Sequence, residues 1–176
     1  MTRNLATSLA AATLMLAGCS TFSDMTEQTI ATADLINADG TQVGTARLLE
    51  RGETMSIAVT TTAVPAGVHG FHLHTTGQCA RPDFTSAGGH LNPTDQEHGT
   101  LNPAGAHLGD LPNLRVEPSG RASLTADLTG TRAQVLNWIF DADGTAVMIH
   151  SGPDDYRTEP AGDAGPRIAC GVLTRS

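Results

Sequence analysis

Seven histidines dominate the chemistry open to this 176-residue chain. His72 and His74 stand two apart in Gly70-Phe71-His72-Leu73-His74, and His69 lies just before them. His90 precedes Leu91-Asn92-Pro93; His98 and His107 follow, and Asp110 comes three residues after His107. His150 closes the apolar run Ala146-Val147-Met148-Ile149. Imidazoles with one carboxylate, and no thiolate cluster, are the donor chemistry of zinc and Cu(II). Any one of these histidines alone reads as a surface or core side chain. Together, a His-x-His pair, a His-rich loop ending in His-x-x-Asp and a distal strand-end histidine read as metal binding.

Such donors need a frame that aims them. On a strand, residues two apart face the same side, with Cα atoms about 6.5 to 7 Å apart. His72 and His74 can therefore converge on one ion. His69 is at odd offset and points elsewhere. The rest of the chain supplies strands: β-type runs cover 30–36, 42–49, 54–63, 68–74, 114–117, 122–128 and 145–150. Turn signals such as Ala38-Asp39-Gly40, Arg51-Gly52-Glu53, Pro118-Ser119-Gly120 and Asp143-Gly144 separate them. In Thr54–Thr60 the larger apolar side chains fall at 55, 57 and 59, the period of a half-buried antiparallel strand. No long helical pattern follows residue 18. These features predict an all-β fold, an antiparallel sandwich or barrel. Two stretches rich in Gly, Pro, Asn, Asp and His, 75–113 and 151–167, read as long loops ordered by metal and a disulfide.

The formal charge of −8 argues against nucleic acid as a partner, since a phosphate-tracking surface is basic. There is no lysine; every basic side chain is arginine. Residues 1–18 read as an export signal: Arg3 and the amino terminus give positive charge, and Leu9–Gly18 is apolar but short for a membrane span. Leu16-Ala17-Gly18-Cys19 resembles the lipobox of bacterial lipoproteins, which implies acylation of Cys19 and a membrane anchor. Ser20 resembles the outer-membrane sorting signal. Residues 19–28 read as a polar tether and 29–176 as the folded domain. If Cys19 takes lipid, Cys79 and Cys170 remain as a pair in an oxidising compartment. A bridge closing a loop of roughly ninety residues is worth about 4 to 5 kcal/mol in the chain-entropy account. The alternatives are two reduced buried thiols, or Cys79 as a metal ligand; export favours the disulfide.

Gly-Phe-His-Leu-His at 70–74, Gly-Gly-His-Leu-Asn-Pro at 88–93, His-Leu-Gly-Asp-Leu at 107–111 and Gly-Pro-Arg-Ile-Ala-Cys-Gly-Val at 165–172 occur together, in this order. In them the chain resembles the copper–zinc superoxide dismutases over about residues 29–174. The resemblance implies a Greek-key β-barrel or sandwich. It implies copper on His72, His74, His90 and His150, and zinc on His90, His98, His107 and Asp110, with one ion of each per chain. His69 would stand behind the copper site. Asp154 would accept from one histidine of each site, although sequence alone does not separate it from Asp155. Arg167 resembles the arginine beside copper, a fixed cationic fork for a small anion. The implied reaction is dismutation of superoxide to dioxygen and hydrogen peroxide. Copper would alternate between Cu(II) and Cu(I), with His90 handling a proton and zinc supporting that ring. The implied setting is the bacterial cell envelope, as a periplasmic or outer-membrane lipoprotein that protects it from superoxide. Bacterial members are monomers and homodimers, and the sequence is compatible with either. Trp138, unmatched in the family pattern, reads equally as core or as a contact surface.

Overall fold

The computed structural model describes residues 26–176. The signal segment, Cys19 and most of the tether lie outside the described residues. The described residues form ten strands and one α-helix, with a short 3-10 turn at Thr85–Ala87: β1 Gln28–Asn37, β2 Gln42–Arg51, β3 Thr54–Thr61, β4 Gly67–His69, β5 Phe71–His74, β6 Leu114–Val116, β7 Ala122–Asp127, α1 Arg132–Ile139, β8 Ala146–His150, β9 Arg167–Val172 and β10 Thr174–Arg175. An eight-stranded antiparallel sheet runs β5-β8-β9-β1-β2-β3-β7, with β10 also on β1. It curls into a half-barrel, and β4 and β6 form a separate pair. The connections are Greek-key: β5 and β8, distant in sequence, are neighbours, as are β3 and β7.

Period-2 patterning builds the barrel wall. Met55, Ile57 and Val59 of β3 are buried, as are Ala31, Ala33 and Leu35 of β1. Leu48, Phe71, Leu73, Val147 and Ile149 join them in one apolar cluster. β5 and β8 are buried on both faces. Their second face carries His72, His74 and His150 toward the long loops, while Ala146 and Met148 join Phe84, Ala87 and Cys170 in a smaller cluster. Cys79 and Cys170 are disulfide-bonded, with Cα atoms 5.7 Å apart.

Three features depart from the expected element list. The run 68–74 is broken at Gly70 into β4 and β5, which belong to different sheets. Gly70 donates to the Gly152 carbonyl and accepts from His150 N–H. A Cβ there would sit 2.8 Å from that of Ala164 and 3.0 Å from the His72 ring. The break explains the separate heading of His69. Strands β9 and β10 follow β8, beyond the expected runs, which end at 150. The helix α1, absent from the expected list, opens on a capping box, with Gln134 N–H donating to the Thr131 hydroxyl and Gln134 Oε1 accepting from Thr131 N–H. Trp138 sits on this helix, half-buried against the main core. Its ring packs over Gly130, where a Cβ would approach it to 2.9 Å.

Candidate metal centre

Strand pairing sets the first donors. His72 lies opposite Met148 and His74 opposite Ala146. With Phe71, Leu73, Val147 and Ile149 committed to the core, alternation turns His72, His74 and His150 to the other face. The loop after β5 crosses that face: His90 bridges to His74, and Asp110 to His72. All three strand histidines are buried.

Each ring's far nitrogen meets an acceptor, which fixes the tautomer by chemistry. His72 Nε2–H donates to Asp154 Oδ2 at 2.8 Å, His74 Nδ1–H to the Gly88 carbonyl at 3.0 Å, and His150 Nδ1–H to the Gly165 carbonyl at 2.8 Å. That leaves His72 Nδ1, His74 Nε2, His90 Nε2 and His150 Nε2, four buried ring nitrogens with no hydrogen-bond partner. Donor atoms of these four residues lie within 4.8 Å of one another. Four convergent, desolvated lone pairs would be costly unless a cation satisfied them. Four imidazoles suit Cu(II).

The second set is His90, His98, His107 and Asp110. Asp110 Oδ1 lies 2.7 Å from His90 Nδ1 and 3.1 Å from both His98 Nδ1 and His107 Nδ1. Donors at zinc-bond length on a tetrahedron stand roughly 3.3 Å apart. His98 argues the same way. Its Nε2–H donates to Asp154 Oδ1 at 3.0 Å, so the Nδ1 of a neutral ring presents a lone pair to a carboxylate oxygen. A cation between them removes that repulsion. The Asp110 Oδ2 atom is held by Gly99 N–H at 2.7 Å and His107 N–H at 2.9 Å. His90 belongs to both sets, with Nδ1 toward the second and Nε2 toward the first.

Burial shapes the titration of these groups. It pushes His74 down to about 2 and His90 and His150 down to about 4, and lowers His72 as well, so the rings keep their lone pairs at neutral pH. Burial alone would raise both carboxylates, but donated hydrogen bonds outweigh it. Donation from His90 and Gly99 holds Asp110 well below its ordinary range, and donation from His72, His98 and Tyr156 N–H brings Asp154 to about 2. Stability of the metal-free protein should therefore fall on acidification. The unfolded histidines take protons below about 6.5 while the folded rings resist until about 4, so the unfolded state gains through that window. Protonation of the two aspartates extends the loss below it. Denaturant titrations of metal-stripped protein between pH 7 and 4 measure this; a flat stability profile would contradict it.

The other expected site residues have definite places. His69 stands outside both donor sets, its ring between the carbonyls of His150, at 2.8 Å, and Pro65, at 2.9 Å. Asp154 is buried and spans the two sets through His72 and His98. Asp155 is exposed and caps a turn through Arg157 and Thr158 N–H. Arg167 opens β9 beside His150. Its guanidinium donates to the carbonyls of Phe84 at 2.6 Å and Gly88 at 2.5 Å. His74, His90, His150 and Arg167 face one cavity of about 270 Å³. Two further contributors were not among the expected site residues. The Gly88 carbonyl receives both His74 and Arg167. The Asn113 side chain exchanges two hydrogen bonds, both 2.8 Å, with the main chain of Asp154.

A family model for copper/zinc superoxide dismutase matches residues 42–173. The chain is 42% identical over 144 residues to superoxide dismutase [Cu-Zn] 2 of Aquifex aeolicus, covering 80% of this chain and 84% of that one. It is also 42% identical over 144 residues to the superoxide dismutase-like protein YojM of Bacillus subtilis, covering 79% and 73% of the two chains. The crystal structure of a SOD-like protein from Bacillus subtilis aligns with a TM-score of 0.74 at 40% identity, covering 81% of this chain and 97% of that one.

Proposed function

The chain belongs to the copper/zinc superoxide dismutase family, and on that premise we propose that its two donor sets hold copper and zinc and remove superoxide at the bacterial cell envelope. The observation that carries this reading is the four unpartnered ring nitrogens of His72, His74, His90 and His150, set against a second donor group that shares His90. Copper in the first set supplies one-electron chemistry, by which two superoxide ions and two protons become dioxygen and hydrogen peroxide. Zinc in the second set would hold the His90 Nδ1 side.

The chain's own groups do the rest. Arg167 offers a permanent positive charge at the cavity, with donors left for an anion after two go to carbonyls. His90, free at Nε2 when that atom is not engaged, can hold a proton there and pass it to departing peroxide. Asp154 keeps the rings of His72 and His98 at one mutual angle. The acidic chain repels superoxide over much of its surface, so attraction must be focused at this cavity.

Metal analysis joined to a superoxide-consumption assay tests the reading. One copper and one zinc per chain are expected, with superoxide removal abolished by stripping copper and restored by adding it back. Both metals bound without accelerated superoxide loss would make the protein a metal carrier of dismutase shape.

The envelope setting rests on the first nineteen residues. We propose residues 1–18 as a signal peptide, lipid on Cys19, and 19–28 as a tether to the 29–176 domain. Among the described residues no helix is long and apolar enough to cross a membrane. Several acyl chains would anchor the domain stably, where one alone binds marginally. Cys19→Ser should release the protein from the membrane fraction or block its processing. A mature amino terminus elsewhere than Cys19, found by mass spectrometry, would refute the anchor.

A further inference from the structure

The loop 151–166 and the loop 75–113 meet over the second donor set. Asp154 reaches His98 Nε2 at 3.0 Å, and Tyr156 accepts Leu101 N–H through its carbonyl at 3.1 Å. A third contact has no place in the chemistry above: a carboxylate oxygen of Glu159 accepts the main-chain N–H of His98. His98 lies outside every strand, so no sheet partner holds its amide. The segment that carries Glu159 passes directly over the ring. A side chain at Gly162, which has φ +63°, would overlap the Asp154 carboxylate and crowd His98 Nε2 at 2.8 Å. Glu159 also lines the cavity shared by His107, His150 and Arg167.

We infer that Glu159 is a positioning residue for the zinc half of the site: its bond to His98 N–H fixes the backbone of that ligand and holds the 158–162 segment down as one wall of the substrate cavity. His98 is thereby held at two points by acids of the loop 151–166, Asp154 at the ring and Glu159 at the main chain, while its Nδ1 faces Asp110 across the position proposed for zinc. Docking of that loop and placement of the His98 ring are then one event. Without Glu159 the His98 backbone gains freedom, the ring leaves zinc more readily, and the cavity wall lifts.

The inference rests on the zinc assignment proposed above, and the test separates the two. Purified holoprotein is mixed with an excess of a chromogenic zinc chelator, and zinc release is timed for the parent, Glu159→Ala and Glu159→Gln. The same three proteins are loaded with cobalt(II) in place of zinc and their visible absorption recorded. Glu159→Ala should release zinc about tenfold faster, the scale expected for losing one supporting contact behind a metal ligand, and should shift the cobalt bands. Glu159→Gln keeps an oxygen acceptor of the same reach and should stay within about threefold of the parent, with the parent's cobalt spectrum. A general loosening of the surface would not be rescued by glutamine in this way. Parent-like zinc release from Glu159→Ala, or release from Glu159→Gln as fast as from Glu159→Ala, overturns the positioning role. A parent protein that takes up no zinc at all overturns the metal assignment instead.

Discussion

Asp154→Ala should weaken zinc binding by about 10- to 100-fold, the usual cost of removing the group that orients a metal-bound histidine. Its carboxylate receives three donors: His72 Nε2–H at 2.8 Å, His98 Nε2–H at 3.0 Å and Tyr156 N–H at 2.7 Å. Both imidazoles depend on it to keep the proton on the nitrogen that faces away from the metal. Without it, His98 has a buried N–H with no acceptor, and its ring is free to turn away from Asp110. His72 suffers the same on the copper side, so the copper spectrum should change as well. Asp154→Asn should behave much like alanine. An amide has one oxygen and one NH2, so one of the two imidazole N–H groups would face a second donor. Competition titrations with a calibrated zinc chelator give the affinity, and the copper absorption band reports the other half. Zinc affinity within threefold of the parent in Asp154→Asn would mean that the carboxylate's double acceptance is not what orients these rings.

The donors themselves were legible because they sit where sequence rules are strong. His72 and His74 are two apart on a strand, and the alternation that buries Phe71 and Leu73 inside decides where the imidazoles point. The turn residues and β-branched runs likewise gave the sheet. Loop conformation was less accessible. Whether Asp154 or Asp155 turns inward depends on the reciprocal pair with Asn113, forty-one residues away, and no local pattern encodes it. Gly88 opens the motif at 88–93, but it acts through its carbonyl, a role that residue identity does not encode. β9 was hidden because Ile168, Cys170 and Val172 alternate among residues better known by motif than by periodicity. α1 is a single short element whose capping box at Thr131 and Gln134 is a weak signal by itself. The break at Gly70 was hidden inside a run that looks continuous, and only the crowding by Ala164 and His72 shows why glycine is there.

Arg167→Ala should retain both metals yet lose turnover by roughly an order of magnitude or more, as expected for one charge-assisted contact worth about 1.5 to 3 kcal/mol. The guanidinium is held rigidly, because its two anchors, the carbonyls of Phe84 and Gly88, belong to the loop that the Cys79–Cys170 disulfide ties to the same strand. Removing the side chain frees those carbonyls, but Gly88 still receives His74 Nδ1–H at 3.0 Å. The copper donors should therefore stay in place and the copper spectrum should change little. What disappears is a fixed positive fork at the cavity that holds His74, His90 and His150. In a chain of net charge −8, few other groups can attract a small anion. Arg167→Lys should keep part of the rate, since a point charge still attracts although it lacks the planar fork and reaches fewer acceptors. Both variants should differ in salt response. Alanine removes a steering charge, so its rate should depend less on ionic strength than the parent's, whereas lysine should keep most of that dependence. Pulse-radiolysis rates at several salt concentrations, read beside copper content, measure all of this. Parent-like rates in fully coppered Arg167→Ala would show that the anion reaches copper without this side chain, and the entrance would then have to lie on another face of the cavity.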